Sequence, residues 1–95
     1  MMRSTCDTPT EHASRYLQQL CKHWMHKFAV EFDAQAGRIA LADDVALAMR
    51  ADPAALHLEL DAPDADTLER WQTVVANHLE RFGFREELAF DWKAA

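Results

Sequence analysis

Hydrophobic residues in this 95-residue chain recur with two different periods, and the change between them constrains the fold more than any other feature. Ala13, Tyr16, Leu17, Leu20 and Trp24 follow the spacing of one apolar helix face. Beyond them the apolar residues alternate with polar or small ones, which is the pattern of strands with one buried face. Helical spacing then returns, and alternation closes the chain. The sequence therefore predicts two helices separated by a run of strands.

The predicted order of elements is (β)-α-β-β-β-β-α-β in a single domain, residues 1–95. Residues 1–8 are expected to form a weak edge strand or a frayed tail. A helix is expected over about 9–27, because Thr8-Pro9-Thr10-Glu11 has the form of a capping box with Thr8 as N-cap. The second helix is predicted to begin at Asp64 and to end at Gly83 in the usual C′ position. The inward positions of the other strands are Phe28, Val30 and Phe32; Ile39 and Leu41; Val45, Leu47 and Met49; Leu56, Leu58 and Leu60; and Leu88, Phe90 and Trp92.

Because each helix is apolar on one side only, the economical packing is a two-layer α+β domain. We expect a mostly antiparallel sheet of five or six strands with both helices on one face. The four central strands are joined by short turns, in the first of which Gly37 is free to take positive φ. Such strands predict a meander. An unbroken meander makes the second helix antiparallel to the first.

The outward positions of the predicted sheet contain an unusual number of alanines, a residue that strands generally disfavour. Small side chains here indicate that something lies close against this face. A second copy of the chain, packed sheet to sheet, is the simplest partner, and a solvated face in an alanine-rich chain is the alternative. The alanines are Ala29, Ala40, Ala46, Ala48 and Ala89.

Charge and composition exclude several classes of protein. Ten Lys and Arg residues against 16 Asp and Glu residues give a net charge of −6 at pH 7, so no domain-wide basic surface for nucleic acid is expected. No apolar run approaches the roughly 18–20 residues of a membrane span, and no signal segment is visible. The two cysteines form no disulfide framework, which favours a cytoplasmic location.

The first predicted helix carries a flank of histidines. His12, His23 and His26 share one polar flank, with Arg15 and Lys22 beside it. The favoured interpretation is a solvated flank, and binding of a small anion by its cations is an alternative. No Ser-His-Asp, P-loop, GxGxxG, HExxH or CxxC pattern is present, so the sequence leans away from an enzyme and implies no particular cofactor.

Antiparallel helices would bring the end of the first helix close to the start of the second. His23 and His26 would then approach Asp64 and Asp66. We favour a surface ion-pair cluster at this point, since structural zinc sites normally need four well-placed ligands. A metal-binding patch formed by these four residues is the weaker hypothesis.

Two stretches resemble the signatures of a bacterial family catalogued as domain of unknown function 2218. Residues 14–28, SRYLQQLCKHWMHKF, resemble its first-helix signature, and residues 78–88, HLERFGFREEL, resemble its closing signature. The resemblance covers most of residues 9–93, with Gly83 in place of an expected Ala. The motif positions in this chain are Cys21, Lys22, His23, His26 and Lys27, followed by His78, Arg81, Arg85, Glu86 and Glu87.

The resemblance implies a short bacterial protein without an established activity or catalytic residue. Some relatives are joined to siderophore-interacting, flavin-dependent ferric reductases, which implies a link to iron–siderophore metabolism and such a reductase as a partner. We expect a small non-enzymatic accessory or ligand-binding domain. The alternatives are an oligomerising domain that pairs through the alanine-rich face and, third, a small enzyme with an acid–base pair of His23 or His26 and a carboxylate.

Overall fold

One sheet with two helices on a single face accounts for the two hydrophobic periods. The computed structural model describes all 95 residues. Its order, β-α-β-β-β-β-α-β, and its α+β class confirm the prediction. The elements are β1 (Met2–Pro9), α1 (Ala13–Trp24), β2 (Ala29–Phe32), β3 (Ala36–Ala42), β4 (Val45–Ala51), β5 (Ala55–Ala62), α2 (Ala65–Phe82) and β6 (Lys93–Ala94).

The six strands form one antiparallel sheet in the order β2-β3-β4-β5-β1-β6. Strands β2 to β5 are the expected meander. The expectation of a weak edge strand or frayed tail at residues 1–8 is wrong, because β1 pairs with β5 over eight residues and with β6 on its other side. Its inward side chains are Ser4, Cys6 and Thr8, all buried, and they include no large apolar residue that could reveal the strand.

The core lies between the helices and one face of the sheet. Alternate residues of β3, β4 and β5 are buried, and they join the apolar stripes of both helices in a cluster of 19 residues. Cys21 is fully buried in this cluster, and burial raises the pKa of its thiol to about 11. It therefore packs as a small apolar side chain.

The start of α1 differs from the prediction. The helix begins at Ala13 rather than near residue 9, because pairing with β5 keeps the backbone extended through Pro9, opposite Ala55. Thr8 therefore lies in β1 and is not the N-cap, and its hydroxyl donates a hydrogen bond of 2.9 Å to the carbonyl of Ala89. The helix ends at Trp24, and the following residues up to 27 form a turn.

The start of α2 is as predicted. Asp64 is the N-cap, and its carboxylate accepts a 2.8 Å hydrogen bond from the backbone N–H of Thr67. This bond lowers the pKa of Asp64, since it stabilises the charged form.

Neither glycine has positive φ, so the structure requires them for space rather than for a left-handed backbone. Gly37 lies inside β3, not in a turn, and a Cβ atom there would be 2.9 Å from Cys21 Sγ. Gly83 caps the C-terminus of α2 with φ −99°, and a Cβ atom would be 3.1 Å from the ring of Tyr16.

The last predicted strand is wrong in position. Leu88, Phe90 and Trp92 are half-buried against the core as alternation suggested, but β6 contains only Lys93 and Ala94. The segment before β6 is attached to β1 by the Thr8 hydroxyl instead of a backbone ladder.

The sheet face turned away from the helices is called the outer face below. No element of the chain covers it. Ala29, Ala40, Ala46 and Ala48 lie on it, whereas Ala89 lies outside the strands. Neither helix combines the length and apolar character needed to cross a membrane.

Candidate functional site

A buried hydrogen-bond cluster joins the start of α1 to the turn that follows α2. Thr10 and Tyr16 are buried at the α1 side, and Glu86 is half-buried at the other. The Thr10 hydroxyl donates to Glu86 Oε1 at 2.9 Å, and the Tyr16 hydroxyl donates to Glu86 Oε2. The backbone N–H of Glu86 donates to the carbonyl of Gly83 at 2.9 Å, which folds the turn and directs the carboxylate inward.

These bonds fix the charge state of the cluster. The hydrogen bond from Tyr16 is the main reason why the pKa of Glu86 is lowered, because it stabilises the carboxylate. Burial, followed by the hydrogen bond to Glu86, raises the pKa of the Tyr16 phenol. Glu86 is thus a carboxylate whose two oxygens are both occupied by neutral donors.

A cavity of about 480 Å³ opens beside this cluster, between α1 and the turn after α2. We call it the Arg15–Arg85 pocket. The Arg15 guanidinium lies 5.6 Å from the centre of the Tyr16 ring, and the Arg85 guanidinium lies 5.3 Å from the centre of the Phe84 ring. Its side-chain walls are formed by Arg15, Tyr16, Gln19, Phe82, Phe84 and Arg85.

The walls of the pocket combine cations with apolar surface. Guanidinium groups bind carboxylates and phosphates through paired N–H donors, and the Gln19 amide adds a neutral donor. Phe84 is 75% exposed and adds an accessible aromatic ring to the pocket wall. The pocket is therefore suited to an anion that also carries a flat apolar group.

A second polar cluster lies on the outer face, where β1, β5 and the β4–β5 turn meet. His57 Nδ1 is 2.6 Å from Asp7 Oδ1, and His57 Nε2 is 2.6 Å from Asp52 Oδ2. These two bonds raise the pKa of His57, and the bond to His57 is the main reason that the pKa of Asp52 falls to about 2. A cavity of about 340 Å³ lies beside it, lined in part by Ala48 and Arg50.

This second cluster has the geometry of a charged clamp. A protonated imidazole donates from both nitrogens, and the two carboxylates accept. Neither nitrogen of His57 is free to exchange a proton with a substrate, since each is already engaged. The clamp ties β1 to β5 and fixes the turn at Asp52, whose other oxygen accepts from the N–H groups of Ala54 and Ala55.

The structure does not bring the four predicted metal candidates together. His23 and His26 are exposed and form no hydrogen bond or ion pair with Asp64 or Asp66. No group of three or more His, Cys, Asp or Glu side chains is placed to hold a metal ion. The favoured ion-pair cluster is absent as well, which corrects that expectation.

The reason lies in the unequal lengths of the helices. Trp24, at the end of α1, contacts Trp71, with ring centroids 6.4 Å apart. Trp71 is seven residues beyond Asp64, about 10 Å along the helix axis. The first turn of α2 therefore projects past the end of α1, and its acids form no ion pair with the cations of α1.

The family-motif residues divide into several environments. Members of the two motif groups meet between the helices, where the ring of His23 lies 5.3 Å from that of His78. His78 Nδ1 donates to the carbonyl of Val74 at 2.8 Å. Of the other motif residues, Cys21 is buried, Arg85 lines the pocket and Glu86 bonds to Tyr16, whereas Lys22, His26, Lys27, Arg81 and Glu87 are exposed.

Sequence reasoning missed how Glu86 functions in the fold. Residues 83–86 form a turn that directs the Glu86 carboxylate inward, whereas Glu87 is exposed. The clamp at His57 was missed because β1 was not recognised as the neighbour of β5. An eight-residue antiparallel pairing would have placed Asp7 opposite His57.

Fold and site together define a small two-layer α+β domain with a basic, aromatic-lined pocket at one end of its helix layer. Residues 5–93 match the model of a family described as an uncharacterized protein conserved in bacteria, domain of unknown function 2218. The chain belongs to this family. That description assigns no function.

One solved structure is similar over nearly the whole chain. It is described as the NMR structure of PA4090 from Pseudomonas aeruginosa, with 42% sequence identity and a TM-score of 0.83. The similarity covers 98% of this chain and 96% of that chain. No match was found among curated proteins.

Proposed function

We propose that this protein is a non-enzymatic binding domain that holds a small anionic ligand in the Arg15–Arg85 pocket. One observation carries the proposal. The two stretches that resemble the family signatures are more than 50 residues apart in the chain, and they meet here, with Arg15 and Tyr16 from the first and Arg85 and Glu86 from the second. Because both signatures contribute residues to this basic pocket, we favour the binding of an anion as their shared function.

The chain as a whole is acidic, so the positive charge of this pocket differs from that of the surrounding surface. The chain carries a net charge of −6, so an anion is repelled by most of the surface and attracted where two arginines converge. Glu86 lies beside them, but both its oxygens already accept hydrogen bonds from Thr10 and Tyr16. Neither arginine forms an ion pair with Glu86 or with any other carboxylate of the chain, which leaves both guanidinium groups available to an external anion.

Three observations favour binding over catalysis. His57 has no free nitrogen, and no hydrogen bond or ion pair joins His23 or His26 to a carboxylate. Glu86 has its pKa lowered, which makes it a poor general base near neutral pH. The acid–base pair proposed for a small enzyme therefore has no support among these groups.

The proposal extends to iron–siderophore metabolism in the cytoplasm, with a siderophore-interacting reductase as the partner. A ferric catecholate complex is an anion that carries aromatic rings, and this is the chemistry that the pocket walls fit. Cations stacked over aromatic groups provide additional attraction for such rings.

Isothermal titration calorimetry tests the proposal with three probes: inorganic phosphate, 2,3-dihydroxybenzoate and the ferric complex of that catechol. We expect the aromatic anions to bind more tightly than phosphate. Arg15→Gln and Arg85→Gln should each weaken binding about tenfold, since a hydrogen bond to a charged group contributes roughly 1.5–3 kcal/mol. Arg70→Gln, on the exposed face of α2, is the matched control and should bind as the wild type. Heats indistinguishable from dilution for every probe would overturn the proposal.

A second function, pairing of two copies through the outer face, is favoured by a separate observation. The strand register places Ala29, Ala40 and Ala46 side by side across β2, β3 and β4, with Ala48 two residues further along β4. These residues form a continuous patch of small side chains that nothing in the chain covers. Sheets pack face to face through such surfaces at about 10 Å.

Analytical ultracentrifugation over a range of concentrations tests this pairing. We expect a dimer that Ala48→Arg disrupts, because a long charged side chain at the centre of the patch holds the two sheets apart. Ala34→Arg, in the exposed turn before β3, is the control and should leave the dimer intact. A wild type that stays monomeric at the highest concentration contradicts the pairing.

A further inference from the structure

We infer that the two copies are related by a two-fold axis that runs along β4, so that Arg38 of each copy meets Glu59 of the other. The inference rests on the proposed pairing through the outer face and adds its geometry. It identifies the partner as a second copy because the charges of this face are complementary to themselves.

The strand register places the two charges on either side of an alanine. Arg38 of β3 is opposite Ala48 of β4, which in turn is opposite Glu59 of β5. All three side chains point to the outer face, in one row across the sheet. Arg38 and Glu59 are thus about two strand spacings, roughly 10 Å, apart, and they form no ion pair with each other within the chain.

Both charges are available for a partner. Arg38 forms no ion pair within the chain, although Glu31 lies opposite it on β2. The Glu59 side chain is 44% exposed, and its only ion pair is a 3.5 Å contact with Arg3 Nε. Arg3 has a better partner in Asp61, at 2.7 Å.

Only one of the two simple axes makes the charges of this row, Arg38 and Glu59, attract each other. For two sheets packed face to face, a two-fold axis along β4 places β3 of one copy over β5 of the other, and Arg38 then faces Glu59 twice. An axis across the strands at Ala48 places each strand over its own counterpart, so that Arg38 faces Arg38 and Glu59 faces Glu59. Like charges in contact at an interface are strongly unfavourable, which selects the axis along β4.

Close approach on this axis is possible because the residues on it are small. Ala46 and Ala48 face their own counterparts across the interface. Arg50, also on β4, faces its own counterpart near the end of the strand, where Asp52 Oδ2 lies 3.9 Å from its guanidinium and offsets its charge. On this axis five strands of each sheet overlap, because β6 lies beyond the partner's sheet. With strands four to eight residues long and about 4.8 Å apart, two copies bury about 900 Å² in total, the size of a weak, reversible interface.

Charge exchange between Arg38 and Glu59 tests the axis. Sedimentation velocity is measured for the wild type, for Arg38→Glu, for Glu59→Arg and for an equimolar mixture of the two variants. Each variant alone should dimerise about tenfold more weakly, because like charges then face each other twice. The mixture should recover dimers, because position 38 of one variant then attracts position 59 of the other at both contacts.

Matched controls show whether a charge change weakens the dimer only when it lies on the outer face. Arg70→Glu and Glu80→Arg make the same changes on the exposed face of α2 and should dimerise as the wild type. Circular dichroism checks the fold of every variant, and Glu59→Gln, which only removes the charge, gives a milder variant if Glu59→Arg does not fold.

The outcomes distinguish the axis from the pairing itself. Recovery in the mixture supports the axis. Dimers that Ala48→Arg disrupts but that do not recover in the mixture overturn the axis and leave the outer-face pairing standing. A wild-type monomer, or a dimer that neither the charge variants nor Ala48→Arg affects, overturns both.

Discussion

The protonation of His57 is coupled to folding. Its two nitrogens bind Asp7 and Asp52, and the three residues come from β5, β1 and the β4–β5 turn. In the unfolded chain these groups separate, so the pKa values of His57 and Asp52 return to ordinary ones. Stability should therefore depend on pH through this clamp.

The expected pH dependence has a maximum in the weakly acidic range. The pKa of His57 is raised above 6.5, so its contribution is complete below about pH 6.5 and is lost as the pH rises through the folded value. The pKa of Asp52 is lowered to about 2, so its contribution is present above about pH 4 and is lost as the pH falls towards 2. Urea unfolding at several pH values should show the largest difference between the wild type and His57→Gln between about pH 4 and 6.5.

A control with the same substitution distinguishes the clamp from a general effect of removing histidine. His26 is exposed and has no hydrogen-bond partner, so His26→Gln should follow the wild type at every pH. A constant difference between wild type and His57→Gln from pH 3 to 9 would show that the clamp does not act through protonation.

Glu86 shows, also at the residue scale, that a sequence motif can include a residue without revealing which contacts that residue makes in the fold. The closing signature contains Arg85, Glu86 and Glu87 in succession, and nothing in that order distinguishes the buried carboxylate from the exposed one. The distinction comes from Thr10 and Tyr16, whose hydroxyl groups are supplied by a segment some 70 residues earlier in the chain.

At the scale of elements, helix α1 packs closely on strand β3 because a glycine, which has no side chain, lies at the contact. Gly37 lies in β3 directly beneath α1, where a Cβ atom would be 2.9 Å from Cys21 Sγ and 3.3 Å from Leu17 Cδ2. Both of these neighbours are fully buried and cannot move into solvent. The spacing of the two layers thus depends on glycine at this position.

Gly37→Ala should lower the free energy of unfolding by about 1–3 kcal/mol, the usual cost of overpacking a filled core. The double variant Gly37→Ala, Cys21→Ala removes the sulfur atom in the tightest contact. We expect its loss to be smaller than the sum of the two single losses, as measured by urea unfolding. Additive losses would contradict the contact between β3 and α1 through Cys21.

The terminal segments show how elements depend on their partners. Strand β1 has few apolar residues, yet it pairs along its full length because β5 supplies a complete backbone edge. The segment from Leu88 to Trp92 has the apolar alternation of a strand, yet its backbone pairs with nothing until β6. The alternation of apolar and polar residues indicates which side chains are buried. It does not indicate which strand supplies the backbone hydrogen bonds.

For the whole molecule, one core joins both layers. The 19 buried apolar residues come from both helices and from β1, β3, β4 and β5, and they form a single cluster. No part of the sheet or of the helix layer retains a buried face if the other is removed. The domain should therefore unfold as one unit.

Coincident transitions test this expectation. Trp24 and Trp71 are in contact within the helix layer, so in the variant Trp92→Phe tryptophan fluorescence reports on that layer, whereas far-UV circular dichroism reports on all elements. Urea unfolding followed by the two signals should give the same midpoint and slope. A fluorescence transition that precedes the dichroism transition would show that the helix layer detaches from the sheet.

The sequence by itself determined the number and type of the main elements, their order, the two-layer class and the common face of both helices. It could do so because periods of 3.6 and 2 specify which side of each element is buried, and a small domain has only one core in which to bury them.

Tertiary structure alone decided the place of β1 inside the sheet, the late start of α1 and the two clusters at His57 and Glu86. Each of these depends on hydrogen bonds between segments about 50 to 80 residues apart, and no local pattern encodes such partners. The Arg15–Arg85 pocket belongs to the same group, since its two arginines become neighbours only when the turn after α2 packs against α1.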